Sequence, residues 1–156
     1  MFSYRLCNKY DEECWISMNR DFMAEEIQDD SLWNNTGQAN DEKFHNTYND
    51  ALESSELISL IVFEENGIPV GFANLMTIYS VWAHGKALIL DDLYLQPSVR
   101  EKGYGKKALK YIEQFAVERG CKRLQFQSEA TNSNAMGFYI SQGYSPADMK
   151  FYVKYL

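Results

Sequence analysis

Two spacings of hydrophobic residues alternate along this chain, and the switches between them lay out its elements. Ser3 to Asn8 reads as a first strand. Cys14, Trp15, Met18, Phe22 and Ile27 then recur at helical spacing, with Asp11 as an N-cap and Glu12 and Glu13 in the first turn, so a helix is expected from Asp11 to Gln28. Asp29 to Asn40 is polar and turn-rich. Asp41 can cap a second helix to about Glu53, with Phe44, Tyr48, Ala51 and Leu52 on its apolar side. Strand patterns follow at Glu56 to Phe63, Pro69 to Ser80 and Lys86 to Leu95, joined by Glu65-Asn66-Gly67 and Ala83-His84-Gly85. Pro97 ends the last of these. A third helix is expected from Tyr104 to Arg119 with Gly120 as its stop, then a strand from Arg123 to Ser128 and a helix from Asn134 to Gln142. Tyr144 and Met149 to Tyr155 read as a closing hairpin. The order β-α-α-β-β-β-α-β-α-β-β predicts an α/β fold of the α+β kind, a mixed sheet with helices on both faces. With no repeat, linker or low-complexity segment, residues 1–156 read as a single domain.

Composition narrows the classes. Hydrophobic residues make up 46% of the chain and aromatics 15%, enough for a proper core. No apolar run approaches the roughly twenty residues of a membrane span, and Met1-Phe-Ser-Tyr-Arg-Leu has no signal-peptide character. The expectation is a cytoplasmic protein without a membrane partner. Cys7, Cys14 and Cys121 form no metal spacing and read as reduced thiols, and His45 and His84 as loop or surface residues, so no metal is expected. The net charge of −7 is unevenly spread: residues 99 to 123 hold eight basic and three acidic residues, a net of +5, and the rest a net of −12. The acidic remainder disfavours nucleic acid and suits a cationic partner; the basic block suits an anion.

Inside that block lies Arg100-Glu101-Lys102-Gly103-Tyr104-Gly105, between an apolar strand and an amphipathic helix. Glycines let the backbone curl, and the first amides of a helix have no carbonyl partners, so a diphosphate can accept from them at the positive end of the helix dipole. Lys106 and Lys107 add charge. The string matches neither the kinase-type phosphate loop nor the three-glycine dinucleotide fingerprint. A second motif follows: Asn132-Ser-Asn-Ala135-Met-Gly-Phe138-Tyr139, then Gly143-Tyr144. Together the two resemble the GNAT superfamily of acyl-CoA N-acetyltransferases, which carries [QR]-x-x-G-x-[GA] after its fourth strand and N-x-x-A-x-x-F-Y-x-x-x-G-[FY] after its fifth. The resemblance covers Leu88 to Tyr144 in detail and the N-terminal third in element order alone. It implies acetyl-CoA as co-substrate, wedged between splayed fourth and fifth strands.

It also implies site residues. Tyr139 stands where the family's tyrosine protonates the departing thiolate; the plain alternative is a core aromatic beside Phe138. Asn132 can cap its helix, and by resemblance also contacts the cofactor, as would the loop from Arg100 through Glu101, Lys102, Gly103, Tyr104 and Gly105 to Lys106. The backbone of Leu93, Tyr94 and Leu95 would pair with pantetheine and polarise the thioester carbonyl. Asp91 and Asp92 interrupt an apolar strand, where charge is costly without partners. Alternation places them on opposite faces, Asp91 with Ile89 and Leu93, unless the bulge that the family has in this strand alters the pattern. By resemblance to spermidine/spermine acetyltransferases, the Asp91 face looks into the acceptor site, Asp91 relaying the amine's proton and Asp92 pairing with a structural donor; both being structural is the alternative. Glu25, Glu26, Asp29 and Asp30, followed by Trp33, suit an amine cation or form a solvated helix end, and Glu129 adds another carboxylate.

These residues point to an acetyl-CoA-dependent N-acetyltransferase acting on a small primary amine, such as a polyamine, an aminoglycoside or an amino-acid derivative, by direct attack in a ternary complex. The alternatives are acetylation of a protein N-terminus or lysine, and a non-catalytic acyl-CoA-binding module. Family members often dimerise through edge strands or the terminal segment, which Phe151, Tyr152 and Tyr155 would serve here.

Overall fold

Strand β1 (Phe2–Leu6) is followed by helices α1 (Glu12–Glu26) and α2 (Asp41–Glu53), then by strands β2 (Ile58–Glu65), β3 (Ile68–Ser80) and β4 (Gly85–Leu95). A short 3₁₀ turn (Pro97–Val99) leads to α3 (Tyr104–Glu118), β5 (Arg123–Gln125) and α4 (Ser133–Ser141). The computed structural model describes residues 1–26 and 40–156. The strands form one sheet in the order β1-β2-β3-β4-β5. The first four pair antiparallel and β4 pairs parallel with β5, the mixed α+β architecture expected. The chain divides into two compact units, Met1–Phe126 with the whole sheet and Gln127–Leu156 with α4.

Both faces of the sheet are covered. On one, Trp15, Met18, Phe44 and Tyr48 from α1 and α2 pack with Leu60, Val62, Phe72 and Tyr94. On the other, α3 buries Ala108, Leu109, Ile112, Phe115 and Ala116, while Phe2 stacks on Tyr104 at 4.3 Å and on Phe63 at 5.7 Å. Tyr48, Phe63 and Phe72 are fully buried, each side chain worth roughly 1.5–3 kcal/mol relative to exposure. Gly71, opposite Leu95, leaves no room for a side chain: a Cβ there would lie 2.4 Å from the Tyr94 carbonyl oxygen.

The caps differ from expectation by who holds them. Asp11 does precede α1, its carbonyl accepting from the Trp15 amide at 2.8 Å. Its carboxylate, however, takes Arg5 Nη1 and Nη2 at 2.7 and 2.8 Å and the Asn8 amide at 2.8 Å, tying β1 to the helix entry. Asn40, not Asp41, caps α2, accepting from the Lys43 amide at 2.9 Å. The strand expected over Arg123 to Ser128 spans Arg123–Gln125 alone, and no strand forms at Tyr144 or over Met149 to Tyr155. Alternating residues become a strand only where a neighbouring edge accepts their backbone; residues 145–156 enter no ladder. All three cysteines are free and partly buried.

Candidate active site

The glycine turn forms as expected. Glu101 and Gly103 take positive φ of 65° and 74°, curling the backbone into α3. Gly103 is the N-cap and has no side chain to satisfy the helix amides, and nothing lies within 4 Å of where its Cβ would be. Among the described residues, the amides of residues 101–106 have no protein acceptor. Free donors, open space and a helix dipole together fit an anionic diphosphate. Two of the cations around the turn are already held by acids. Arg100 is already committed: Nε donates to the Leu95 carbonyl at 2.8 Å, Nη2 to Glu25 Oε2 at 2.6 Å, and its guanidinium lies 5.5 Å from the Tyr94 ring. Glu25 also accepts from the Tyr94 hydroxyl at 3.4 Å, so the fold brings this acid, expected at the acceptor end, to the glycine turn. Lys102 and the Tyr104 hydroxyl both donate to Glu65, whose carboxyl is held low first by Tyr104 and then by Lys102. Lys106 stays exposed, and Lys107 lies 5.4 Å from the Tyr104 ring.

Strand β4 supplies the second part. Its parallel pairing with β5 stops after Ile89↔Gln125, while the strand itself runs on to Leu95 paired with β3 alone. Beyond Ile89, no described residue pairs with the β5-side edge of β4 along Leu93, Tyr94 and Leu95. A bulge lies between the Asn74↔Asp92 and Leu75↔Leu90 pairs, and Asp91 is the extra residue, with no cross-strand partner. The bulge overturns strict alternation. Cross-strand partners share a face, so Asp92, opposite Asn74, joins Tyr94 and Ile89 on the α1 side, while Leu93, opposite Ala73, lies on the other.

Asp92 Oδ2 accepts from Asn74 Nδ2 at 2.8 Å, and Asn74 Oδ1 accepts from Trp15 Nε1 at 2.9 Å. Asn19 Oδ1 takes a longer bond from Asn74 Nδ2 at 3.3 Å, and Asn19 Nδ2 donates to the Trp15 carbonyl at 2.7 Å. Burial raises the carboxyls of both Asp91 and Asp92; at Asp92 the Asn74 bond opposes the rise and the Asp91 charge adds to it. Asn74 was not singled out in the sequence. Its signal was available, since it interrupts the apolar run Val70-Gly-Phe-Ala-Asn-Leu-Met as the aspartates interrupt β4.

In the second unit, Asn132 caps α4, accepting from the Ala135 amide at 3.1 Å. Tyr139 packs 5.4 Å from Phe138 and 6.4 Å from Tyr144, centroid to centroid. Gly143 ends the helix at φ 92°, and the Tyr144 amide returns to the Tyr139 carbonyl at 3.2 Å. Glu129 is exposed, its carbonyl accepting from the Asn132 amide at 3.0 Å; Glu26 is likewise exposed. Asp29, Asp30 and Trp33 lie outside the described residues. Burial pushes the Cys7 thiol up to about 12 and raises that of Cys14, which disfavours thiolate chemistry at either. No group of metal-ligating side chains occurs among the described residues, and no helix among them is long and apolar enough to cross a membrane.

The profile of the acetyltransferase (GNAT) family fits residues 20–144. The chain belongs to that family. Among its relatives, the uncharacterized N-acetyltransferase YhfO of Bacillus subtilis (strain 168) is 37% identical over 93 residues, 60% of this chain and 62% of that protein. A thialysine N-epsilon-acetyltransferase of Bos taurus is 32% identical over 74 residues, 47% of this chain and 43% of that protein. The chain thus matches less than two thirds of these relatives' length. In fold, the aminoglycoside N-acetyltransferase AAC(6')-Iy in complex with CoA superimposes with a TM-score of 0.77 at 15% identity, over 99% of this chain and 95% of that one. Its complex with a bisubstrate analog, CoA-S-monomethyl-acetylneamine, gives 0.78 at 17% identity, over 100% and 99%. At such identities the likeness is one of fold, and this GNAT chain shares it from end to end.

Proposed function

We propose that this GNAT protein transfers the acetyl group of acetyl-CoA to the primary amine of a small cation. The observation that carries the reading is the glycine turn: unsatisfied amides at residues 101–106 beside a β4 edge left open past Ile89. The residues fit the co-substrate in kind. Amide donors suit its diphosphate, Lys106 adds a cation nearby, and the open backbone of Leu93, Tyr94 and Leu95 suits its pantetheine amides. Relatives named for acetylating thialysine, and a neighbour captured with an acetylneamine analog, support an amine acceptor, as do the acidic residues outside the basic block.

Acetyl-CoA supplies an activated acyl group with a good leaving thiolate. The chain's own residues would do the rest. Backbone donors on β4 orient and polarise the carbonyl. The carboxylates of the β4 bulge, Asp91 and Asp92, take the proton of the attacking ammonium, directly or through water. As the new N–C bond forms and the C–S bond breaks, Tyr139 gives its phenolic proton to sulfur, and the second proton shed by the nitrogen returns to the phenolate through water. With the Cys7 and Cys14 thiols raised by burial, attack is direct and no acyl-protein intermediate is invoked.

Titration calorimetry with coenzyme A, followed by a free-thiol assay with acetyl-CoA and spermidine, S-(2-aminoethyl)-L-cysteine, neamine and a lysine peptide, tests the reading. Binding with thiol release on addition of a free amine is expected. Absence of heat at millimolar coenzyme A overturns it; binding without release leaves a non-catalytic module, and release with the peptide alone makes it a protein acetyltransferase.

A further inference from the structure

Two acids sit side by side at the β4 bulge, and the fold treats them unequally. Asp91 is the inserted residue, without a cross-strand partner and more open to solvent than Asp92. Asp92 is partly buried and joined to a chain of side-chain bonds that begins in α1. The chain has a direction fixed by chemistry. An indole N–H can only donate, so the Asn74 atom 2.9 Å from Trp15 Nε1 is the carbonyl oxygen, and the atom 2.8 Å from Asp92 Oδ2 is then the amide nitrogen. Trp15 is 5% exposed and packed against Phe44, Tyr48 and Phe72, so the indole itself has little freedom. One aspartate oxygen is thereby engaged by a fixed donor, and Oδ1 has no protein partner among the described residues.

We propose that Asn74, locked by Trp15, is a positioning residue that orients the Asp92 carboxylate, so that Asp92 rather than Asp91 receives the proton of the attacking amine. The inference rests on the acetyltransferase reading and assigns its base. The proton leaves the ammonium for Asp92 Oδ1, directly or through one water, freeing the nitrogen lone pair that forms the N–C bond; it departs to solvent after product release. The groups facing Asp92 are Asp91 on its own strand, Asn74 on β3, and Trp15 and Asn19 on α1, of which Asp91 alone is charged. Asn74 donates to the ionised form and so holds the Asp92 carboxyl down against burial and Asp91.

The test compares the full chain with Asn74→Leu and Trp15→Phe. The acid limb of kcat/KM is followed with spermidine, S-(2-aminoethyl)-L-cysteine or neamine, whichever the wild type turns over, and the Asp92 carboxyl is titrated by 13C NMR in ligand-free protein, assigned by Asp92→Asn. Loss of one charge-assisted bond shifts a carboxyl by about one unit. In Asn74→Leu both the NMR titration and the acid limb are expected to rise together by about one pH unit, with about tenfold lower activity on the acid side and coenzyme A affinity within about twofold. Trp15→Phe, which leaves the Asn74 amide free to turn over, shifts both in the same direction by less. A moved NMR titration with an unmoved acid limb overturns the proposal, because Asp92 is then held but takes no part; so does no movement in either. If Asn74→Leu does not fold, Trp15→Phe alone decides by the same two readouts. A wild type that binds coenzyme A but acetylates none of the amines overturns the acetyltransferase reading and this inference with it, whereas turnover with an unmoved limb overturns the inference alone.

Discussion

The glycine turn after Arg100 and the β4 bulge at Asp91 lie on one stretch of chain and present opposite kinds of polarity. At the turn, the free groups are backbone N–H donors, and the side chains that could supply charge, Arg100 and Lys102, are mostly occupied by Glu25 and Glu65. At the bulge, the backbone on either side of Asp91 is paired with β3, and the groups left available are the Asp91 carboxylate and Asp92 Oδ1. A site made of main chain depends on shape and tolerates most side-chain changes; a site made of carboxylates depends on which atoms are present. The contrast explains why a nucleotide thioester, common to a whole family, would meet backbone, while the varied amine would meet side chains.

Asp92→Asn should give the largest effect: about a hundredfold lower kcat, in the range of a lost general base, with coenzyme A affinity by calorimetry within about twofold. Comparable weakening of coenzyme A binding would erase the division between the two regions. Tyr139→Phe is expected next, lowering kcat by about tenfold or more while binding persists; an unchanged rate removes the phenol from the reaction. Gly103→Val acts in the opposite direction. A β-branched residue at φ 74° costs about 1–2 kcal/mol, so coenzyme A affinity should fall about tenfold with kcat on saturated protein nearly kept.

The smallest effects concern stability. Asp11 has its carboxyl lowered, first by its bonds to Arg5, so folding favours the ionised form. Its contribution is present above the unfolded value of about 3.9 and is lost as pH falls through the lower folded value. Asp92 is the reverse: its folded carboxyl is raised, first by burial, so its charge opposes folding above about pH 3.9 and more fully as pH passes the raised value. Asp11→Asn should therefore lose about 1 kcal/mol at pH 7 and Asp92→Asn should gain a comparable or smaller amount, both differences shrinking toward pH 3. Urea unfolding across pH measures this, and a loss of stability in Asp92→Asn at neutral pH would contradict the sign.

Local patterns carried most of this fold into the sequence. Periodicity located nine elements because each is decided by its own residues, and the glycine turn was legible because a tight αL turn before a helix needs the glycine that is there. The pairings were not. Asn74 with Asp92, Trp15 with Asn74 and Glu25 with Arg100 join different elements, and no spacing rule encodes such partners. The bulge was foreseen as a feature of the family, but no residue type marks Asp91 as the extra one; only the register with β3 does. The closing hairpin failed for a related reason, since Met149 to Tyr155 has strand-like alternation but a strand exists only in a ladder.

Trp15 has one more consequence, an optical one. It is buried and bonded to Asn74, whereas Trp82 on the β3–β4 hairpin is 91% exposed. With Trp33 replaced by Phe, so that two indoles remain, iodide would silence emission from the exposed one and leave that of the buried one. The light that remains would change colour as Asp92 gains or loses its proton two bonds away, giving an intrinsic dye for the ionisation state of this acid.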